Sequence, residues 1–476
     1  MLLKRFYDPK LAQASYLLGC HATGEALVVD ANRDIDQYIE GAEAENLRIT
    51  HVTETHIHAD FVSGSRELAA RTGATLYLSD EGDADWKYSF AAAAGAVPLK
   101  DGGSFAVGNV RVDVMHTPGH TPEHLSFLIT DTPASSRPMG AFTGDFIFAG
   151  DVGRPDLLEK AANAKGTMES AARTLFRSVQ RFRALPDYLQ LWPGHGAGSA
   201  CGKSLSAMPQ STIGYENISN WALLTNLEDE FVRVVLSGQP DPPAYFAQMK
   251  RINKEGPRLL GGVPRPQRIP ETKLSELLSG GALVVDTRPA ADFAAGHVPG
   301  TINIPLNKSF TTWAGWLLPY GRELYLLTDE RCPTCVDEAV RDLALIGLDD
   351  VAGYFNSEVL ETWAAEGETL ATVAQLSPDE VRARIDQRSA VVLDVRAPSE
   401  WEHGHLPGVR NVPLGALTDE IATLPRNVPL VTQCQSGARS AIAASVLRAH
   451  GFKDVSNLAG GYAEWVRRGL PVERDG

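Results

Sequence analysis

Apolar and polar residues alternate over short stretches in the first half of this chain, the period-two pattern of strands that bury one face. Ile49 to Thr53 reads this way, and Ala14 to Leu18 and Ala26 to Val29 read as the first two strands, with a turn over Gly19 to Gly24 between them. Helical spacing takes over from Gly64 to Thr72 and from Ala171 to Ala184, so strands and helices alternate up to about Leu236. A stretch rich in Pro and Gly follows, with Gly238 to Pro243, Gly256-Pro257 and Gly261 to Pro270, and reads as a linker between domains.

Beyond the linker the apolar runs are continuous, as in strands buried on both faces, and they occur twice. Ala282 to Arg288 and Ala390 to Arg396 each place an Asp two residues before an Arg. Gly296-His297 and Gly404-His405 then lead into Pro299-Gly300 and Pro407-Gly408, with Asn303 and Asn411 next. Each copy reads as a small α/β domain with a mostly parallel sheet, in which the Asp, Arg and Gly-His residues serve as scaffold.

Candidate chemistry collects at predicted strand ends. The run Thr55 to Phe61 holds His56, His58 and Asp60 just after a strand. Pro118-Gly119-His120, Thr143-Gly144-Asp145 and Pro193-Gly194-His195 repeat the arrangement, each ending in a potential ligand. Imidazole and carboxylate together suit zinc or non-haem iron. In the second copy, Cys434 stands between the strand Pro429 to Gln433 and a helical run to His450, where backbone N–H groups and a helix N-terminus face it. Arg439 adds a positive charge for an oxyanion. Counting back from Gly347, the counterpart of Gly451, puts Glu330 at the matching place in the first copy. Cys332 and Cys335 lie just beyond, as a redox-active pair, half a metal site or two packed thiols. Cys201 sits in a Gly-rich loop after His195, either as a buried thiol or as one that handles substrate sulfur.

Composition narrows the class. A length of 476 residues fits about three domains at ~150 residues each. A net charge of −15 argues against nucleic acid or an anionic membrane as partner. Five irregularly spaced cysteines make no disulfide framework, and a reducing cytoplasm is expected. Leu17 to Cys20 has the look of a lipid-attachment box, but Asp8, Pro9, Lys10, Gln13 and Ser15 break up the preceding apolar core, so it reads as strand.

The four strand-end motifs resemble the metallo-β-lactamase superfamily, whose pattern is His-x-His-x-Asp-His followed by separate His, Asp and His ligands. Phe61 departs from it, replacing the last His of the first motif with a side chain that cannot bind metal. The resemblance is to the persulfide dioxygenases of that superfamily, whose Gly-Arg-x-Asp segment matches Gly153 to Asp156. It implies one Fe(II) per chain on His56, His120 and Asp145, a two-histidine, one-carboxylate face with open positions. His58, Asp60 and His195 would support those ligands and Arg154 would bind substrate. The repeated copies resemble rhodaneses, and Cys434 to Arg439 match the sulfurtransferase loop, with Gln435, Ser436, Gly437 and Ala438 binding substrate around catalytic Cys434 and Arg439.

The expected fold is therefore multidomain α/β: a metallo-β-lactamase αββα sandwich followed by two rhodanese-like α/β domains. Expected boundaries are 1–240 for the dioxygenase domain, 241–270 for the linker, 271–370 for a pseudo-rhodanese and 375–476 for a catalytic rhodanese. The resemblance covers all of these and implies sulfide detoxification. A thiol persulfide would be oxidised to sulfite, and sulfite with a second persulfide converted to thiosulfate. Expected partners are a small-molecule thiol persulfide, O2 and sulfite, with self-association into a homo-oligomer and no nucleic acid or membrane. Cys201, Cys332 and Cys335 are candidates for redox or sulfur relay. The alternative is a glyoxalase II-type zinc thioester hydrolase with sulfur-carrying rhodanese domains. A non-enzymatic sulfur carrier would need a degenerate metal site, whereas the ligand set here is intact.

Overall fold

A computed structural model describes residues 1–157, 166–203, 205–239 and 241–474. The chain divides into two compact units, Met1–Val263 with Leu343–Gly347, and Pro264–Asp342 with Leu348–Gly476.

The first unit contains two facing sheets. One runs in the order β1 (Leu2–Asp8), β2 (Gln13–Cys20), β3 (Glu25–Val29), β4 (Arg48–Thr53), β5 (Thr75–Ser79), β6 (Val97–Leu99). The other contains β7 (Ser104–Val107), β8 (Val110–His116), β9 (Leu125–Asp131), β10 (Gly140–Gly144), β11 (Gln190–Pro193) and β12 (Ser211–Thr212), laid out in reverse order from β12 to β7. Alternation decides the layering. Tyr16, Leu18, Leu27 and Val29 point between the sheets and meet Val112, Phe127, Phe142 and Trp192. Leu17, Ala26 and Val28 point outward, under Tyr38 of α1 (Asp36–Glu43) and Leu68 of α2 (Ser65–Thr72). On the far side Ala141 and Leu191 pack with Leu175, Val179 and Phe182 of α3 (Met168–Phe182). This is the expected helix–sheet–sheet–helix sandwich. Strand β1 was not anticipated: it pairs only with β2 at the sheet edge, and its partly buried residues carry no clean alternation. Gln13–Cys20 is a strand, as its sequence suggested.

The topology brings the ligand-bearing loops to one edge. Strand β4 is parallel to β3 and β5, and β10 is parallel to β11. Strand β8 runs the same way as β10, because each is antiparallel to β9. The segment read as a linker contains a helix, Phe246–Glu255, with Asn253 buried. No helix among the described residues is long and apolar enough to cross a membrane.

The second unit holds two parallel sheets of the same design. The first has the order β14 (Ile302–Asn303), β13 (Leu283–Asp286), β15 (Leu324–Thr328), β16 (Val351–Asn356). The second has the order β17 (Ala374–Leu376), β21 (Val455–Leu458), β20 (Leu430–Gln433), β18 (Val391–Asp394), β19 (Arg410–Asn411). In this frame α4 (Ala290–Ala295), α5 (Cys335–Leu345) and α6 (Ala438–Ala449) are the helices that matter for chemistry. The repeated Asp-x-Arg residues are buried ion pairs at 2.6 Å, Asp286–Arg288 and Asp394–Arg396. Each Arg also donates to the carbonyl of the repeated Gly, Gly296 or Gly404. Asn303 and Asn411 donate to the carbonyls of their own Asp and Arg.

The register corrects one expectation. Asp394 pairs with Gln433, and the equivalent Asp286 pairs with Leu327. Thr328, not Glu330, therefore stands where Cys434 does. The count from Gly347 failed because the first copy has two more residues between this position and that glycine. Thr328 is buried and its hydroxyl faces the Phe355 carbonyl, so the position still lacks a thiol.

Arg396→Ala strips Asp394 of its buried counter-charge and should cost about 3–5 kcal/mol. The urea midpoint of the full chain, followed by a probe of the second unit, is expected to fall accordingly. An unchanged midpoint would show that the pair is dispensable.

Candidate metal centre and sulfur-transfer loop

The loop after β4 is held from behind by Asp30, which adopts a left-handed φ of 54° at the end of β3. Asp30 accepts the Thr55 N–H at 2.7 Å and the Thr55 hydroxyl at 2.9 Å. Because the Thr55 hydroxyl proton is committed to Asp30, its oxygen accepts from Nδ1 of His56 at 2.9 Å. That leaves the His56 Nε2 lone pair pointing forward. Nδ1 of His120 donates to the carbonyl of Arg154 at 3.1 Å, with the same result. The Nε2 atoms of His56 and His120 lie 3.9 and 3.6 Å from one carboxylate oxygen of Asp145.

His56, His120 and Asp145 are thus brought together, each buried, with one ligand atom apiece within 4.8 Å of the others. Burial, helped by the surrounding histidines, pushes the His56 pKa well below its usual value. Burial also lowers His120. Both shifts favour the neutral ring, the form in which imidazole binds a metal. Nε2 of His56 and both oxygens of Asp145 form no hydrogen bond within the described residues. Buried polar atoms left bare and facing one another fit a cation between them.

The supporting residues fall on either side. His58 lies outside the three-ligand group, with Nε2 at 3.2 Å from Asp30, Nδ1 without a hydrogen bond among the described residues, and its ring against the fully buried Phe61 at 4.4 Å. Burial opposes charge on His58, but Asp30, Glu54 and Asp60 outweigh it and raise its pKa to about 9. His195 points Nε2 at Asp60, 3.1 Å away, and at Asp145, 3.4 Å away. Cys201 joins Asp60 and His195 in a second buried cluster, where burial and the carboxylates push its thiol up to about 12. Arg154 is wholly buried, with its guanidinium committed to Asp156 and the Ala200 carbonyl. It addresses the centre through its own carbonyl.

Several contributors escaped sequence reading. His124 accepts the backbone N–H of Asp145 at 3.2 Å and so aims that carboxylate. Its spacing four residues after His120 was the available signal. Asn253, from the expected linker, donates to the carbonyls of His58 and Phe61 and accepts from the Ser63 N–H, all at 2.7–2.9 Å. Nothing local in the sequence marks it.

In the second unit, Cys434 is buried at the end of β20, and its Sγ receives the Gly437 N–H at 3.2 Å and the Ser440 hydroxyl at 3.4 Å. Gly437 adopts a φ of 99°, the left-handed turn that starts α6. A Cβ on Gly461 would meet the Cys434 carbonyl at 2.2 Å, so the glycine pair Gly460-Gly461 lets the loop lie flat. The carbonyls of Cys434 and Gln435 accept from Tyr462 and Ala463. Ser436 and Gly437 line a cavity of about 520 Å³ with α4, and Ala438 and Arg439 line a different one. Arg439 is held by Glu400 through two hydrogen bonds at 2.6 and 2.8 Å, so an anion must share it with that carboxylate. Cys332 and Cys335 form a disulfide.

Asn253→Ala should free three backbone groups of the loop that carries His58 and Phe61. A loss of about 1–3 kcal/mol in stability is expected, read by thermal or urea unfolding, with weaker metal retention on dialysis. Unaltered stability and metal content would remove Asn253 from the support of the centre.

Known proteins place this geometry. Residues 8–195 match the metallo-beta-lactamase superfamily, and residues 271–335 and 377–468 match the rhodanese-like domain. A crystal structure of a metallo-beta-lactamase from Staphylococcus aureus is 44% identical, with a TM-score of 0.66, and the match covers 75% of this chain and 99% of that one. The mitochondrial persulfide dioxygenase ETHE1 of Bos taurus is 28% identical over 49% of this chain and 80% of its own length. A hydroxyacylglutathione hydrolase of Methylococcus capsulatus is 32% identical over 38% of this chain and 60% of its own length. With a buried His–His–Asp metal-binding site at the edge of its sandwich, the chain belongs to the metallo-beta-lactamase superfamily and carries rhodanese-like domains after it.

Proposed function

We propose that this chain is a non-haem Fe(II) persulfide dioxygenase coupled to a sulfurtransferase. The observation that carries the reading is the three-ligand face of His56, His120 and Asp145, with Phe61 in place of a further ligand. His58 lies outside this three-residue group, and its Nε2 meets Asp30. Two imidazoles, one carboxylate and open positions suit Fe(II) and leave room for two reactants. When bound there, Fe(II) supplies the activation of O2 that a spin-paired sulfur substrate needs.

The side chains supply the rest. The Thr55 hydroxyl and the Arg154 carbonyl fix the two imidazoles, and the His124 ring fixes Asp145. The neutral thiol of Cys201 and the Asp60–His195 pair stand beside the ligands, where they can meet the substrate's sulfur and its proton. One persulfide, one O2 and one water give sulfite and a thiol. At the second site, Cys434 takes the outer sulfur of another persulfide, releasing its thiol. The Gly437 N–H and Ser440 hydroxyl, which donate to Cys434 Sγ, support the sulfur anion that makes this attack. Sulfite, drawn to the loop, then removes that sulfur as thiosulfate. Joining both activities on one chain raises the local concentration of sulfite near its consumer. Similarity to the bovine dioxygenase supports this reading. Similarity to the hydroxyacylglutathione hydrolase favours a second one, zinc-dependent thioester cleavage.

Anaerobically purified protein should hold about one iron per chain, the stoichiometry of a single three-ligand site. His56→Ala should reduce persulfide-dependent O2 uptake to background. Two zinc ions in the active form, with thioester cleavage and no O2 uptake, would establish the hydrolase instead.

Cys434→Ser should consume O2 at the parent rate yet accumulate sulfite, since a serine oxygen cannot carry sulfane sulfur. Thiosulfate at the parent rate, after subtraction of spontaneous formation, would remove Cys434 from the pathway.

A further inference from the structure

The repeated domains share a cavity of about 730 Å³ lined by residues from both copies. One wall is the Cys332–Cys335 disulfide of the first copy. The other includes Ala438 and Arg439, the first turn of α6 beside the Cys434 loop, and Trp313 and Leu306 complete it. The charges at the cavity are balanced, Asp329 against Arg331 and Arg439 against Glu400. A space of this size holds a peptide-sized small molecule, and the reactive group it offers is a disulfide.

We propose that this cavity is a second reaction site, at which the Cys332–Cys335 disulfide oxidises hydrosulfide and delivers its sulfur to a low-molecular-weight thiol bound beside it. The two sulfurs are not equivalent. Cys335 is the first residue of α5, where helix N–H groups favour a thiolate, and Cys332 precedes the helix. Hydrosulfide attacks Sγ of Cys332. The disulfide bond breaks, and its electron pair leaves on Cys335 as thiolate, the better leaving group. Cys332 now carries a persulfide, Cys–S–SH. A small thiolate R–S⁻ attacks the outer sulfur, forming R–S–SH and releasing Cys332 as thiolate. Hydrosulfide sulfur has lost two electrons and the disulfide has gained them. A low-molecular-weight disulfide restores the pair by exchange, releasing two thiols. The product belongs to the substrate class proposed for the iron site, but neither step uses His56 or Cys434.

The test is run without O2 and without sulfite, so that persulfide oxidation and thiosulfate formation do not contribute. Oxidised full-length protein is mixed with hydrosulfide and glutathione. Sulfane sulfur is measured by cyanolysis and protein thiols by titration. The expected result is one sulfane sulfur and two new protein thiols per chain, with a rate that saturates in glutathione. Cys332→Ser and Cys335→Ser should each abolish both signals. Trp313→Ala, which opens the cavity wall, should raise the half-saturating glutathione concentration several-fold. Reduction of the pair with no sulfane sulfur would overturn the proposal. So would a non-saturating rate equal to that of a small cyclic disulfide free in solution.

Discussion

Asp30 is the residue on which the metal centre depends. A buried carboxylate is tolerated only when its oxygens are fully engaged. Here the engagement is with the neighbouring loop: the Thr55 N–H, the Thr55 hydroxyl and His58 all converge on it. Satisfying Asp30 therefore shapes the turn after β4 and orients the Thr55 oxygen. That oxygen selects the His56 tautomer with Nε2 free. The left-handed φ of Asp30 costs most residues about 1–2 kcal/mol, a strain to which Asp is among the more tolerant. The same residue meets Nε2 of His58, so one carboxylate braces both histidines of the loop.

The remaining ligands follow the same logic, with backbone or side-chain groups behind each ring setting which nitrogen faces forward. His120 is set by the Arg154 carbonyl, and the Arg154 guanidinium is in turn anchored by Asp156 and Ala200. Asp145 is set through its own N–H by His124. These supports come from loops after different strands of the two sheets.

The second unit shows how a duplicated frame permits divergence. In both copies a buried Asp–Arg pair, a Gly carbonyl and an Asn amide tie the same strand ends together. Phe293 stacks on His297 as Trp401 stacks on His405. None of these contacts involves the loop after β15 or β20. That loop holds Cys434 in one copy and Thr328 with a Cys332–Cys335 disulfide in the other, while those contacts are kept.

Much of this was legible along the chain. The apolar runs of β2 and β3, the alternation of β4, the strand-end histidines and Asp145, and the repeated Asp-x-Arg and Gly-His residues are short-range patterns. They reflect constraints that act within a few residues: the two-residue period of a strand and the need of a ligand to sit where the backbone ends its ladder. Thr328, Asn253, Asp30 and Arg154 were decided only in three dimensions. The count that pointed to Glu330 assumed equal loop lengths, whereas hydrogen-bond register between β13 and β15 sets the true equivalence. Asn253 reaches the metal loop from nearly two hundred residues away, and Arg154 spends its charge on Asp156 and Ala200. Local sequence determines which groups can be offered. Burial requires every polar atom to find a partner, and only the folded arrangement of distant segments decides which partner that is.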